Sequence, residues 1–273
     1  MRVVVLCSSP YSETGCAMAA RLAQAGHGPA GALSLPALDR STLLRKFAQW
    51  GIRDSARFAW SKLAPRRSEA TGIRNPYLGG VLQHGGKVLR SLHEAGSAYG
   101  FPIVITRDQN SPEAIERLRQ WSPDVAVFTG GNILRKTLLG APRLGVINAH
   151  LALLPKIRGM SSPEWSLLQG VPLGVTIHFM DTGIDTGPVL LRREFRELDG
   201  CDSFSDLRNR MIAFGMEMVV EAIAGLETGT ITPRPQTDQE KDNQFFVMHA
   251  WLKEQAAARL GVKTTVSVGE SSD

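Results

Sequence analysis

Short β-branched runs alternate with stretches of helical periodicity through the first two thirds of this chain. That alternation restricts it to an α/β architecture with a parallel sheet. Val3 to Cys7 is an unbroken apolar run, the mark of a strand buried on both faces. A helix is expected over about Gly15 to Ala25, a strand over Pro29 to Leu35, a helix over Leu78 to Tyr99 despite its glycines, and a strand over Phe101 to Thr106. Ser111-Pro112-Glu113 reads as a helix start, with a hydroxyl at the cap and proline in the first position, and that helix runs to about Trp121. Asp124 to Thr129 continues the strand series, followed by Gly130-Gly131 and a short helix or turn through Leu138. Strands near Val146 and Val175 flank a loop and a helix over Ser162 to Gln169. Val189 to Phe195 is a further strand, Ser203 to Ile223 a long amphipathic helix, and Phe245 to Leu260 a last helix.

The pattern divides into a main domain over residues 1–229, an extension over 230–260 and a polar, flexible tail over 261–273. Residues 41–76 read as an insertion, with apolar residues at helical spacing over Leu43 to Leu63 and a breaker at Pro65-Arg66-Arg67-Ser68. The formal net charge is +5, yet Arg40 to Arg74 holds nine Lys/Arg against Asp54 and Glu69, so the remainder is slightly acidic. A segment of that kind can meet phosphates, or it can be a solvated helical surface over packed Leu, Phe and Trp.

No apolar stretch approaches the roughly 20 residues a bilayer span needs. The N-terminal run is too short for the core of a signal peptide, so a cytoplasmic protein is expected. Cys7, Cys16 and Cys201 are odd in number and widely spaced, which argues against a disulfide framework and a zinc site. The histidine spacing suggests no metal.

Three polar side chains stand out between Gly145 and Pro188: Asn148, His150 and Asp185. Asn148 and His150 are two residues apart on one expected strand, so both side chains leave the same face. Asp185 lies in Met180-Asp181-Thr182-Gly183-Ile184-Asp185-Thr186-Gly187-Pro188, just after the next strand. Ligands in open α/β sheets collect beyond the carboxyl ends of the strands, and His150, Gly130 and Asp181 all fall at such ends. His150 alone is compatible with a satisfied structural histidine, and Asp185 alone with turn chemistry. Together, an amide, an imidazole and a carboxylate suit proton transfer, and best of all acyl transfer to an amine.

These residues also carry a resemblance. Asn148-Ala149-His150, then Leu153-Leu154-Pro155 and Arg158-Gly159, then Gly174 to Gly187 are similar to the signature of N10-formyltetrahydrofolate-dependent formyltransferases. That family includes the glycinamide ribonucleotide, methionyl-tRNA and sugar N-formyltransferase types. The likeness is specific over about Pro123 to Leu191. It implies an open, mostly parallel Rossmann-like sheet of the formyltransferase type with helices on both faces, and a catalytic role for the 1–229 domain. By the same resemblance Asn148, His150 and Asp185 are catalytic, and 10-formyltetrahydrofolate is the cosubstrate. Gly131, Asn132, Ile133, Leu134, Met180, Asp181 and Gly183 would then hold its pterin through main-chain groups, with Ile133 and Leu134 packing on the ring. One departure is Ala152, where the family usually has Ser, so one local hydrogen bond is expected to be missing.

Residues 186–273 after Asp185 read as strand, long helix and tail, not as the β-barrel of methionyl-tRNA formyltransferases. Trp165 and His178 resemble the sugar-nucleotide and small-amine enzymes. The acceptor is therefore expected to be a small-molecule amine, such as an amino-sugar nucleotide or secondary-metabolite amine. Transfer RNA and glycinamide ribonucleotide are the alternatives, no membrane partner is expected, and a homodimer is left open. A non-catalytic nucleotide- or folate-binding module is the reading from another class. Val3 to Gly15 contains no G-x-G-x-x-G, and no acidic residue ends the second strand as a ribose ligand would. If the basic insertion faces the acceptor, replacing Arg66 and Arg67 with Ala should weaken acceptor binding more than folate binding. Equal losses for the two ligands, measured by titration, would count against that role.

Overall fold

The computed structural model describes residues 1–37, 72–237 and 244–261. The chain divides into two compact units, Met1–Ile147 and Asn148–Asp273, and the division falls inside the expected 1–229 domain. Residues 41–71 of the expected insertion and 262–273 of the expected tail lie outside the described residues.

In the first unit β1 (Val3–Cys7) is the middle strand. It pairs in parallel with β2 (Pro29–Ser34) on one side and with β6 (Val125–Phe128) on the other. All five residues of β1 are fully buried, which is why the sequence there is apolar without alternation. Helix α1 (Glu13–Gln24) follows β1, and its N-cap Ser12 accepts a hydrogen bond from the Gly15 N–H at 3.1 Å. The Glu13 carboxylate accepts from the backbone N–H groups of Arg74 and Asn75, which ties down the point where the described chain resumes. Strand β5 (Ile103–Ile105) adds to β2, and with β7 (Gly145–His150) beside β6 the order is β7-β6-β1-β2-β5. The chain thus builds outward from β1 in one direction and then returns to build in the other. The carboxyl ends of β1 and β6 therefore form the switch point where crevices open in such sheets.

The expected helix over Leu78 to Tyr99 is a correction. Leu78 closes a short 3-10 turn over Pro76–Leu78, and only Leu92–Tyr99 is α-helical (α2), capped by Ser91. Before it the chain forms a hairpin of β3 (Gln83–His84) and β4 (Lys87–Val88). Gly85 and Gly86 sit at the turn with φ of +56° and +76°, a pair of positive angles that two-residue hairpins demand and a helix forbids. The apolar spacing there had mimicked a helix. Helix α3 (Pro112–Gln120) starts as read, with the Ser111 hydroxyl accepting from the Ala114 N–H at 3.2 Å. A short α4 (Lys136–Leu139) precedes β7 (Gly145–His150), the strand that runs through the boundary between the units.

In the second unit the order is β10-β9-β7. Strand β9 (Gly174–Phe179) is buried along its whole length, and β10 (Val189–Glu194) pairs with it antiparallel, the only antiparallel pairing in a sheet otherwise read as parallel among the described pairs. Two short strands, β8 (Arg158–Gly159) and β11 (Gln244–Phe245), form a separate parallel pair. Helix α5 (Ser162–Gln169) follows β8, and α6 (Phe204–Thr228) packs on β9 and buries Leu207, Met211, Met216, Val219 and Ile223. The last helix, α7 (Ala250–Leu260), begins five residues later than expected, because Gln244–Phe245 is claimed by the pairing with β8. No described helix is long and apolar enough to cross a membrane.

Helix α6 opens with the Ser203 hydroxyl accepting from the Asp206 N–H at 3.1 Å. Ser203→Ala should cost about 1 kcal/mol of stability in denaturant unfolding. An unchanged midpoint would show that the first turn is held by packing instead.

Candidate active site

The second unit brings Asn148, His150 and Asp185 together, and adds His178. Strand β7 delivers Asn148 and His150 to one face, as their spacing requires. The two nitrogens of His150 are distinguished by their partners. Nε2 lies 2.8 Å from the Ile157 carbonyl oxygen, which can only accept, so Nε2 carries the hydrogen. Nδ1 faces Asp185 Oδ2 at 3.4 Å. In the neutral ring Nδ1 therefore presents a lone pair toward the carboxylate.

His178, on the buried strand β9, has the opposite arrangement. Its Nδ1–H donates to the Phe179 carbonyl oxygen at 2.9 Å. Burial, reinforced by His150 and opposed by Asp185, pulls its pKa down to about 4. The ring is thus neutral at pH 7, and Nε2 accepts from Asn148 Nδ2 at 3.3 Å. This contact sets the orientation of the Asn148 amide: nitrogen toward His178, with a second N–H left over. Asp185 Oδ1 stands 3.6 Å from the same Nε2, which with a neutral ring is proximity and not an ion pair.

Asp185 has φ of +53°, a left-handed backbone that costs a non-glycine residue on the order of 1–3 kcal/mol. Its carboxylate Oδ2 accepts from the Gly159 N–H at 2.8 Å. Gly159 is itself obligatory: with φ of +91°, any Cβ there would run into the Phe245 carbonyl oxygen of β11. The Gln236 amide nitrogen donates to the Asp185 and Gly187 carbonyls at 2.9 and 2.8 Å. Asp181, exposed at the start of the loop, accepts from the Gly183 N–H at 3.0 Å and from the Thr186 hydroxyl at 2.6 Å, so it shapes the loop around Gly183. Met180 is half-buried between β9 and this turn.

Gly131, Asn132, Ile133 and Leu134 lie in the first unit, after β6 at the switch point. Ile133 is 92% exposed whereas Leu134 is 6% exposed, so of the two apolar residues Leu134 is core and only Ile133 offers a surface. Gln109, fully buried, accepts from the Asn132 N–H at 3.2 Å, and Asn110 donates to the Ile133 carbonyl at 3.0 Å. Gly131 packs directly on the Gln109 amide. The buried Asn132 Oδ1 has no hydrogen-bond partner among the described residues.

Some of this was missed in the sequence. Asp108-Gln109-Asn110 shapes the Gly131–Leu134 turn, and its run of polar residues after a strand was the available signal. His178, one of the two residues that resemble the sugar-nucleotide and small-amine enzymes, is 1% exposed and engaged with Asn148. Polar Thr176 and His178 in a strand with no exposed residue had to find partners, and that was the signal for them. Trp165 likewise serves the protein itself, donating to the Phe246 carbonyl at 2.9 Å and stacking on Phe245 with centroids 4.8 Å apart. At the Ala152 departure, the Thr176 hydroxyl donates to the Ala152 carbonyl at 2.7 Å and accepts from the Leu154 N–H at 3.1 Å, so the loop is fastened through its backbone.

Residues 87–223, half of the chain, match the family model described as Formyl transferase. The chain belongs to that family. It is 37% identical over 147 residues to the methionyl-tRNA formyltransferase of Pelobacter propionicus, a match covering 53% of this chain and 46% of that protein. The chain spans about half the length of the curated relatives it matches. Among solved structures it resembles glycinamide ribonucleotide transformylase 1 from Symbiobacterium toebii, with a TM-score of 0.56 and 21% identity, over 87% of this chain and 94% of that one. It also resembles a sugar N-formyltransferase from Shewanella sp FDAARGOS_354, with a TM-score of 0.53 and 14% identity, over 95% and 88% of the two chains. These structural likenesses carry the α/β formyltransferase fold.

The lowered pKa of His178 makes a pH prediction. In the unfolded chain the ring protonates near 6.5, while in the folded protein it stays neutral down to about 4. Between those values the unfolded state holds the extra proton, so stability should fall as pH drops through this window. His178→Gln should flatten that part of the pH–stability curve. An unchanged slope would remove His178 as its source.

Proposed function

We propose that this chain transfers a formyl group from 10-formyltetrahydrofolate to the amine of an acceptor, with Asn148, His150 and Asp185 as its catalytic residues. The observation that supports this most directly is the placement of His150 Nδ1 against the Asp185 carboxylate, while the Ile157 carbonyl holds the proton on Nε2. An amine that adds to a formyl carbon must lose a proton, and charge develops on the formyl oxygen. Asp185, with His150 Nδ1, takes that proton and passes it to the leaving folate nitrogen as its bond to the formyl carbon breaks. The remaining Asn148 N–H and a protonated His150 supply hydrogen bonds to the developing negative oxygen, in a site whose donors are oriented in advance by His178. Membership of the formyl transferase family supports the same reaction.

The folate would supply the formyl carbon and the leaving nitrogen. In the first unit, Ile133 presents an exposed apolar surface of the kind a ring packs on. The turn Met180 to Gly183 would contribute main-chain groups, its own geometry being held by Asp181.

For the acceptor we favour a small-molecule amine such as an amino-sugar nucleotide. Support comes from the segment after α6, which returns to the site through Gln236 and β11. Methionyl-tRNA is the second reading, favoured by the curated relatives named for it. Offering small amines and charged tRNA with 10-formyltetrahydrofolate, and following tetrahydrofolate release, separates the two. Formylation of tRNA alone would reverse the ranking. His150→Ala should reduce turnover about 10²–10⁴-fold and Asn148→Ala about 10²–10³-fold. Turnover within a factor of two of the parent in either variant would remove that residue from the mechanism.

A further inference from the structure

Gln236 lies beyond the residues that match the family model, which end at 223, yet it reaches back to the centre of the site. Its segment is anchored by a two-way backbone exchange between Arg234 and Val189, with both N–H···O distances 2.8 Å. Two residues further along, the Gln236 side chain is 7% exposed, and its single amide nitrogen donates to two loop carbonyls, those of Asp185 and Gly187. Its amide oxygen accepts from Arg158 Nη2 at 3.0 Å. A guanidinium can only donate, so Arg158 forces the oxygen of the amide toward itself and the NH₂ toward the loop. Arg158 is 6% exposed and is followed by Gly159, whose N–H holds the Asp185 carboxylate.

We propose that Gln236 is a positioning residue for formyl transfer, locking the left-handed backbone of Asp185 so that its carboxylate stays on His150, with Arg158 fixing the sense of the Gln236 amide. This deepens the function proposed above and rests on it. The Asp185 conformation is intrinsically unfavourable and persists only where its surroundings over-determine it. Two carbonyls converging on one amide do so: the fork is satisfied only when residues 185 and 187 hold their present relation. The Arg158–Gly159 dipeptide then acts on both ends of the aspartate, on the carboxylate directly and on the backbone through Gln236. A group that positions and does not bind substrate changes the rate of the reacting complex and leaves ground-state binding alone.

The test uses the full chain, with Gln236→Leu, Asp185→Asn and the double variant, assayed with 10-formyltetrahydrofolate and the amine that the acceptor screen identifies. Gln236→Leu should lower kcat at least 10-fold while KM for the folate stays within about twofold. In the Asp185→Asn background the same substitution should have no further effect, because the carboxylate it positions is gone. Equal fold-losses in both backgrounds, or a loss confined to KM, would overturn the proposal. Amide hydrogen exchange of residues 185–187, read without substrate, should rise in Gln236→Leu while exchange in β1 and β6 does not. Unchanged exchange in the loop would refute the lock whatever the activity. A parent chain that formylates no amine would instead refute the catalytic reading, with the exchange result still deciding whether Gln236 holds the loop.

Discussion

The hydrogen bond from the Gly159 N–H to the Asp185 carboxylate is the constraint on which the second unit is organised. A part-buried carboxylate needs donors, and here the donor is a backbone group on a two-residue strand. That strand exists because β11 pairs with it, and the pairing brings the Phe245 carbonyl so close to Gly159 that no side chain fits. The positive φ of Asp185, the glycine at 159 and the strand at 244–245 are therefore one feature seen at three places in the chain.

The same economy governs the histidines. His150 and His178 have ring centroids 6.3 Å apart, and their backbone partners hold their hydrogens on opposite nitrogens: Nε2 for His150, Nδ1 for His178. Two charged imidazoles at that separation would repel, and burial keeps His178 neutral. The division of labour follows. His178 acts as an acceptor that orients Asn148, and His150 keeps its Nδ1 for Asp185. Neither assignment requires a group outside the protein.

Much of the fold was legible in the sequence because strands buried on both faces cannot hide their composition. Val3–Cys7 and Gly174–Phe179 admit no water-facing residue, and Ser111-Pro112-Glu113 announces its helix by capping chemistry. The region between Leu78 and Ser91 was misread because its apolar spacing resembles a helix, while the deciding preference, paired positive φ at Gly85 and Gly86, is a property of the turn. Phe245 was assigned to a helix for a similar reason. Its strand state depends on a partner at Gly159, 86 positions away in the chain.

By itself the sequence determined the order of the longer strands and helices, the pairing of Asn148 and His150 on one face, and the proximity of Asp185 to a strand end, since each follows from local periodicity. Only the tertiary structure decided which nitrogen of each histidine carries its hydrogen, that His178 orients Asn148, that Leu134 is core while Ile133 is exposed, and that Gln236 reaches Asp185. Those outcomes depend on carbonyls and amides meeting across long stretches of chain, and backbone groups are the same in every residue, so no pattern of side chains records where they will meet.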